Sequence, residues 1–280
     1  MIELADELRD RFPGSSAFDQ IMDLEGEVYR AKEGRRTLMF EHQGREYFAK
    51  IHRGIGWREI WKNLSQLKWP IITASNEWKA VALLERSGVE TVKIVGKGVR
   101  GLNPAKVQSF VVMQALDERI ELEDFFKEMG GTGGPRRLAL KRMLLRKVAD
   151  SARRMHAAGM NHRDFYLCHF HIQNRDWSHW RPGDEVRLPL LDLHRAQIRS
   201  KVPRRWLVKD LGALLFSAVD CGFTDRDMAA FLKIYIGPNW KDQLRSNAGL
   251  WRSVLIRAGK FYQRHRGKAM VLPGIFAHLR

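Results

Sequence analysis

At 280 residues the chain has room for one bilobal unit or two small domains, and 44% hydrophobic with 10% aromatic content excludes global disorder. A net charge of +17 predicts an anionic partner: nucleic acid, an anionic bilayer, an acidic protein or a phosphorylated substrate. Cys168 and Cys221 lack paired spacing, and the opening MIELADELRDRF lacks an apolar signal core, so both cysteines read as reduced thiols of a cytosolic protein. No window approaches the ~18 apolar residues of a spanning helix, so a membrane role would be a surface role.

In chain order, residues 1–25 read as a short helix and lead-in, with Leu4, Leu8 and Phe12 at helical spacing. Val28–Lys32, a Glu33-Gly34 turn, Thr37–Phe40, a Gln43-Gly44 turn and Tyr47–Ile51 then read as a three-stranded meander. Residues 75–87 form a helix that Ser75 would cap and Gly88 would stop. Two further strands are expected around Val92–Val95 and Ser109–Met113. The Gly130–Pro135 stretch reads as a surface loop. A basic helix over 136–158 follows, with Leu145, Val148, Ala149, Ala152 and Met155 on one face and Arg136, Arg137, Lys141, Arg142, Arg146 and Lys147 largely on the other. From about residue 203 the pattern is helical. The expected fold is therefore α+β and bilobal: a small antiparallel sheet lobe with one internal helix (1–116), then a mainly helical lobe (117–280).

The chemistry concentrates in Asn161-His162-Arg163-Asp164, with His169 five positions after the acid, and in Leu190-Leu191-Asp192-Leu193-His194. Phosphoryl transfer needs a carboxylate for the acceptor hydroxyl, ligands for a metal on the phosphates, and a cation on the phosphates. The order matches the protein-kinase pattern H-R-D-x-x-x-x-N followed by D-F-G, with His169 in place of Asn and Asp192-Leu193-His194 in place of D-F-G. Asp164 is then the expected catalytic base, and Asp192 and His169 the metal-side residues. Imidazole is a poorer Mg²⁺ ligand than an oxygen donor, so His169 has two other readings, ordering the loop or contacting phosphate. Lys50, on the third strand like the lysine of V-A-I-K and on one face with Phe48 and His52, is expected on the nucleotide phosphates, with Glu77 as its partner and Glu85 as a competitor for that place. The glycine-rich phosphate loop is absent. Gly34 alone occupies the first turn, followed by Arg35 and Arg36, which either contact phosphate or tip a solvated hairpin.

Lys50–Trp57, Gly159–Phe170, Asp192–Gln197 and Arg205–Leu211 together resemble the bacterial lipopolysaccharide core heptose(I) kinases, over roughly residues 25–265. The resemblance implies ATP- and Mg²⁺-dependent phosphorylation of the first inner-core heptose of a lipid A-linked acceptor, at the cytoplasmic face of the inner membrane. It also implies that Asp210 is a structural acid of the helical lobe.

The segment 53–70 carries Trp57, Ile60, Trp61, Leu64 and Leu67 at helical spacing among Arg58, Lys62 and Lys68. Its simplest reading is a helix packed against its own lobe. An anionic membrane surface or an acidic carrier protein are the alternatives. Trp177, His179 and Trp180 read as a loop near the acceptor. Two other functions compete: a kinase for another sugar, an aminoglycoside or protein tyrosine, and a pseudokinase scaffold. Nucleic acid is not expected, since no helix-turn-helix, zinc-finger or RNA-recognition signature accompanies the charge.

Overall fold

Between residues 35 and 52 buried side chains recur at every second position, Leu38 and Phe40, then Tyr47, Ala49 and Ile51, and the reversals fall on turns that contain Gly34 and Gly44, so the chain folds back on itself as antiparallel strands. A computed structural model describes residues 1–32, 34–66, 70–129, 134–173 and 180–279. Glu33, Leu67, Lys68, residues 130–133 of the glycine-rich loop, and Trp177 and His179 lie outside the described residues. The chain divides into two units, one of residues 1–82, 92–116 and 192–195, the other of residues 83–91, 117–191 and 196–280.

The first unit contains β1 (Ile2–Leu4), α1 (Asp6–Arg9), α2 (Ala17–Met22), β2 (Glu27–Lys32), β3 (Arg35–His42), β4 (Arg45–His52) and α3 (Gly56–Ser65). Most of α4 (Ser75–Arg86), then β5 (Ile94–Arg100) and β6 (Gln108–Gln114), complete it. The six strands form one antiparallel sheet in the order β1-β5-β6-β4-β3-β2. Leu8, Phe12, Phe18 and Ile21 from α1, α2 and their connection bury against Leu38, Tyr47, Ala49, Ile51, Val95 and Phe110 of the sheet. Each buried Leu, Ile, Val or Phe side chain contributes about 1.5–3 kcal/mol. The alternate face of β4 therefore presents Phe48, Lys50 and His52.

Three local expectations are corrected. Residues 2–4 pair with β5 as an edge strand rather than continuing the helical spacing through Leu4. The fifth strand starts at Ile94, not Val92. Ser75 is the first residue of α4 and not its cap; its amide is met by Thr73 Oγ1 at 3.3 Å.

The second unit contains β7 (Arg119–Glu121), α5 (Leu122–Met129), α6 (Pro135–Ala157), β8 (Met160–Asn161), β9 (His171–Gln173), β10 (Gln197–Ile198), α7 (Arg204–Asp220), α8 (Asp225–Ile236), α9 (Trp240–Ser246) and α10 (Ala248–Arg266). Its strands are two short ladders, β7 with β9 and β8 with β10. The architecture is thus α+β, a sheet-rich unit and a helix-rich unit. In α6, Leu145, Val148, Ala149, Ala152 and Met155 are buried as their spacing predicts. Some of its cations are committed: Lys141 to Asp227 at 2.7 Å, Lys147 to Glu90 at 2.9 Å, and Arg136 to the Trp180 carbonyl. Neither Cys168 nor Cys221 is in a disulfide, and burial, followed by the charge of Glu123, pushes Cys221 up to about 12.

The helix α3 does not pack as its simplest reading required. Ile60 is its buried residue, while Trp57 and Trp61 are 51% and 65% exposed and Leu64 is exposed with them. These residues form an i, i+4, i+7 stripe.

His52 yields a pH prediction. Burial, then the charges of Arg35 and Lys50, lower it to about 4, so it folds as a neutral imidazole. The unfolded chain binds its proton near pH 6.5, so this stabilisation is complete above that pH and is lost as pH falls toward 4. Relative to the wild type, His52→Gln should lose up to about 3 kcal/mol less stability between pH 7 and 4. Urea melts at the two pH values check this; an identical acid loss in both proteins contradicts it.

Candidate active site

In the sheet unit, β4 carries Lys50 and the first turn of α4 carries Glu77, which is almost fully buried. Lys50 Nζ donates to Glu77 Oε1 at 2.5 Å and lies 3.9 Å from Asp192 Oδ1. Burial works against the ammonium, but the charge of Glu77, then that of Asp192, and the Glu77 hydrogen bond outweigh it and hold Lys50 above its ordinary value. A permanently charged lysine held by two carboxylates suits a phosphate oxyanion.

Asp192 has φ of +60°, and its Oδ1 is also 2.5 Å from His194 Nδ1. A non-glycine residue in this region is strained, and such positions gather at functional sites. The structure thus brings Lys50, Glu77 and Asp192 together; it gives Glu85 no part in that cluster. Gly34, at φ of +73°, has a structural reason of its own: a Cβ there would stand 2.2 Å from the Gly54 carbonyl oxygen. Arg36 donates to the Leu24 carbonyl at 2.5 Å and is thereby committed to the fold.

In the helical unit, the polypeptide leaves α6, forms β8 and enters the stretch His162–Tyr166. Asp210, on α7, is completely buried and accepts two backbone N–H bonds, from His162 at 2.7 Å and Arg163 at 2.8 Å. Arg163 has φ of +77°. The buried carboxylate therefore clamps a strained turn that sets the direction of the next side chain, Asp164. His162, also buried, donates from Nε2 to the Leu191 carbonyl at 2.8 Å, which anchors the residue just before Asp192. The tautomer follows, because a carbonyl only accepts. Asp164 Oδ1 lies 3.2 Å from Lys209 Nζ, and both groups are partly buried. His169 ends a short 3-10 turn, Leu167–His169, and its ring stacks on His162 at 5.5 Å with 21° between the planes. Trp180 is buried.

Sequence reasoning missed Lys209 and the strain at Arg163 and Asp192. Lys209 stands one residue before Asp210, and on a helix that neighbour has no spacing that marks it. The strain belongs to the backbone and has no residue-type signal, since neither position is a glycine.

Among the described residues, no group of three or more His, Cys, Asp and Glu is placed to hold a metal ion by itself. Mg²⁺ usually takes one or two carboxylates, with substrate phosphate oxygens and water completing its shell. Asp192 fits that donor set, whereas His169 supplies a softer nitrogen whose ring is already stacked.

The model of the lipopolysaccharide kinase (Kdo/WaaP) family matches residues 19–235. The chain belongs to that family. It is 40% identical over 270 residues to the lipopolysaccharide core heptose(I) kinase WaaP of Escherichia coli (strain K12), covering 96% of this chain and all of the relative. It is 45% identical over 253 residues to the enzyme of the same name from Pseudomonas aeruginosa, covering 90% of this chain and 92% of the relative. A solved structure of WaaP in complex with acyl carrier protein superposes with a TM-score of 0.78 at 38% identity, covering 94% of this chain and 99% of that one. The chain is accordingly a kinase of this family, an ATP-using sugar phosphotransferase.

Lys50→Ala should raise the KM for ATP about tenfold or more and also lower kcat, because it removes the cation yet leaves Glu77 buried without its partner. Steady-state kinetics with ATP varied check this, and an unchanged KM contradicts it.

Proposed function

We propose that the protein transfers the γ-phosphoryl group of ATP to a hydroxyl of the first heptose of the lipopolysaccharide inner core. The acceptor follows from the relatives, which are heptose(I) kinases over nearly their whole length. The observation that carries the chemistry is the arrangement of Asp164, held beside Lys209 by the Asp210 clamp. In this reading Asp164 accepts the proton of the heptose hydroxyl as its oxygen bonds to the γ-phosphorus. The bond from that phosphorus to the bridging oxygen breaks, and the electron pair leaves with ADP. Lys50, oriented by Glu77, holds the α- and β-phosphates. Asp192 would hold Mg²⁺, which when bound neutralises phosphate charge. The stacked His169 orders the loop rather than ligating the metal. Gly34 belongs to the first turn near the nucleotide, where it permits the close approach of Gly54.

Among the described residues, no helix is long and apolar enough to cross a membrane. We assign the exposed Trp57–Trp61–Leu64 stripe to peripheral contact with an anionic bilayer at the cytoplasmic face of the inner membrane, supported by the +17 net charge. An acidic carrier protein is the second reading of the same face, favoured by the solved WaaP captured with acyl carrier protein. Trp57→Ala combined with Trp61→Ala should weaken cosedimentation with anionic vesicles at least fivefold and leave ATP affinity unchanged. Unaltered sedimentation with lost carrier-protein binding would favour the second reading.

The test of the acceptor is a product analysis. Incubation with ATP, Mg²⁺ and dephosphorylated core acceptor should add one phosphate to one heptose, located by mass spectrometry of the released sugars. Phosphate on a hexose, or on added protein tyrosine instead, would overturn the assignment.

A further inference from the structure

Helices α7 and α10 enclose an open cavity of about 470 Å³ lined by Arg204, Arg205, Trp206, Val208, Lys209, Ser253 and Arg257. Four of these seven are cations and none is an acid. Among the described residues, Arg204, Arg205 and Arg257 make no ion pair. Lys209 reaches Asp164, so the cavity adjoins the proposed base. Such a gathering of like charges in one concavity is unfavourable unless an anion joins it.

The cations are held in place. The guanidinium carbons of Arg163 and Arg205 lie 4.7 and 5.0 Å from the ring centre of Trp206, and Lys209 Nζ lies 6.0 Å from it. Arg257 is fixed from the other helix. Its stem passes so close to Gly212 of α7 that a Cβ there would stand 2.8 Å from Arg257 Cγ, and its guanidinium covers Phe261 at 4.6 Å. Two donors of the lining, Trp206 Nε1–H and Arg257 Nε–H, are buried without a hydrogen-bond partner. Buried donors are ordinarily paired, and an oxyanion in the cavity would pair them.

We propose that this cavity binds an anionic group of the acceptor saccharide, a carboxylate or phosphate on a sugar next to the one phosphorylated, and so places the reacting hydroxyl at Asp164. The proposal rests on the kinase reading above and adds the acceptor's charge as a recognised feature. The nucleotide is the other anion available; none of its candidate residues, Lys50, Glu77 and Asp192, lines this cavity, and the ADP affinity measured in the test separates the two. Arginine suits the task because its planar fork matches an oxyanion bidentately.

The test is calorimetric titration with three synthetic heptose disaccharides in which the neighbouring sugar is neutral, carries a carboxylate, or carries a phosphate. The wild type should bind at least one charged form tenfold or more tighter than the neutral one, and the tighter of the two names the source of the charge. Arg205→Ala with Arg257→Ala should abolish that preference while ADP affinity stays within twofold. Arg205→Ala alone, at an exposed position that does not endanger folding, should reduce it. Gly212→Ala, which displaces Arg257 without removing a charge, should reduce it too. Equal affinity for charged and neutral saccharides in the wild type, or an undiminished preference in the double variant, would overturn the proposal. Binding is read without turnover, so a charge preference supports the cavity even where no saccharide is phosphorylated, and that failure would count against the kinase reading alone.

Discussion

Asp164→Ala is expected to lower kcat by about 10²- to 10⁴-fold, the usual contribution of a positioned acid–base group, while ATP affinity stays near wild type. The separation follows from the groups involved. Asp164 and its neighbour Lys209 belong to the helical unit, whereas the proposed nucleotide cation is held in the sheet unit by Glu77 and Asp192. Asp164→Asn keeps the size of the side chain but loses its charge, and so both the proton acceptor and the ion pair with Lys209; it should fall as far. If the asparagine variant instead retains most of the rate, the carboxylate positions the hydroxyl and takes no proton. The cost in stability should be about 1 kcal/mol, since the Asp164–Lys209 pair is only partly buried.

Asp210→Ala should do the opposite, damaging the fold first. Its carboxylate satisfies the His162 and Arg163 amides at 2.7 and 2.8 Å in a fully buried place. Removing it orphans both donors at about 1–3 kcal/mol each and releases Arg163 from φ of +77°. A loss of about 4 kcal/mol is expected, with a fall of roughly 10 °C in the unfolding midpoint. Asp210→Asn, which keeps one acceptor oxygen, should lie between. At low temperature, where the alanine variant remains folded, kcat should still be reduced because the turn before Asp164 has lost its clamp. Thermal melts by circular dichroism decide the matter; a change below 1 kcal/mol would mean that water or another group takes over both amides.

Much of this was legible in the sequence because the decisive residues sit in patterns that local physics enforces. The alternation across β3 and β4 places Lys50 on the face opposite the core, and the buried stripe of α6 follows from its 3.6-residue spacing. What stayed hidden depends on distant partners. Leu4 has helical spacing with Leu8, yet its backbone pairs with Gly96 across 92 residues, and that pairing wins over the local pattern. In α3 the spacing of Trp57, Ile60, Trp61 and Leu64 is the same for a helix buried by its own unit and for one presenting that face outward; only the exposure of the tryptophans separates the two. The Trp206 cavity needs α7 and α10 to meet, so Arg257 carried no signal beside Arg205 some 50 residues earlier.

The most direct measurement follows the γ-phosphate itself. Purified protein is mixed with γ-labelled ATP, Mg²⁺ and dephosphorylated lipopolysaccharide, beside the Asp164→Ala protein, and the label in nucleotide, free phosphate and core sugar is counted over time. With the wild type, label should appear on the heptose; with the variant it should stay on ATP even though the variant binds ATP normally. Label appearing on the heptose at similar rates with both proteins would contradict it.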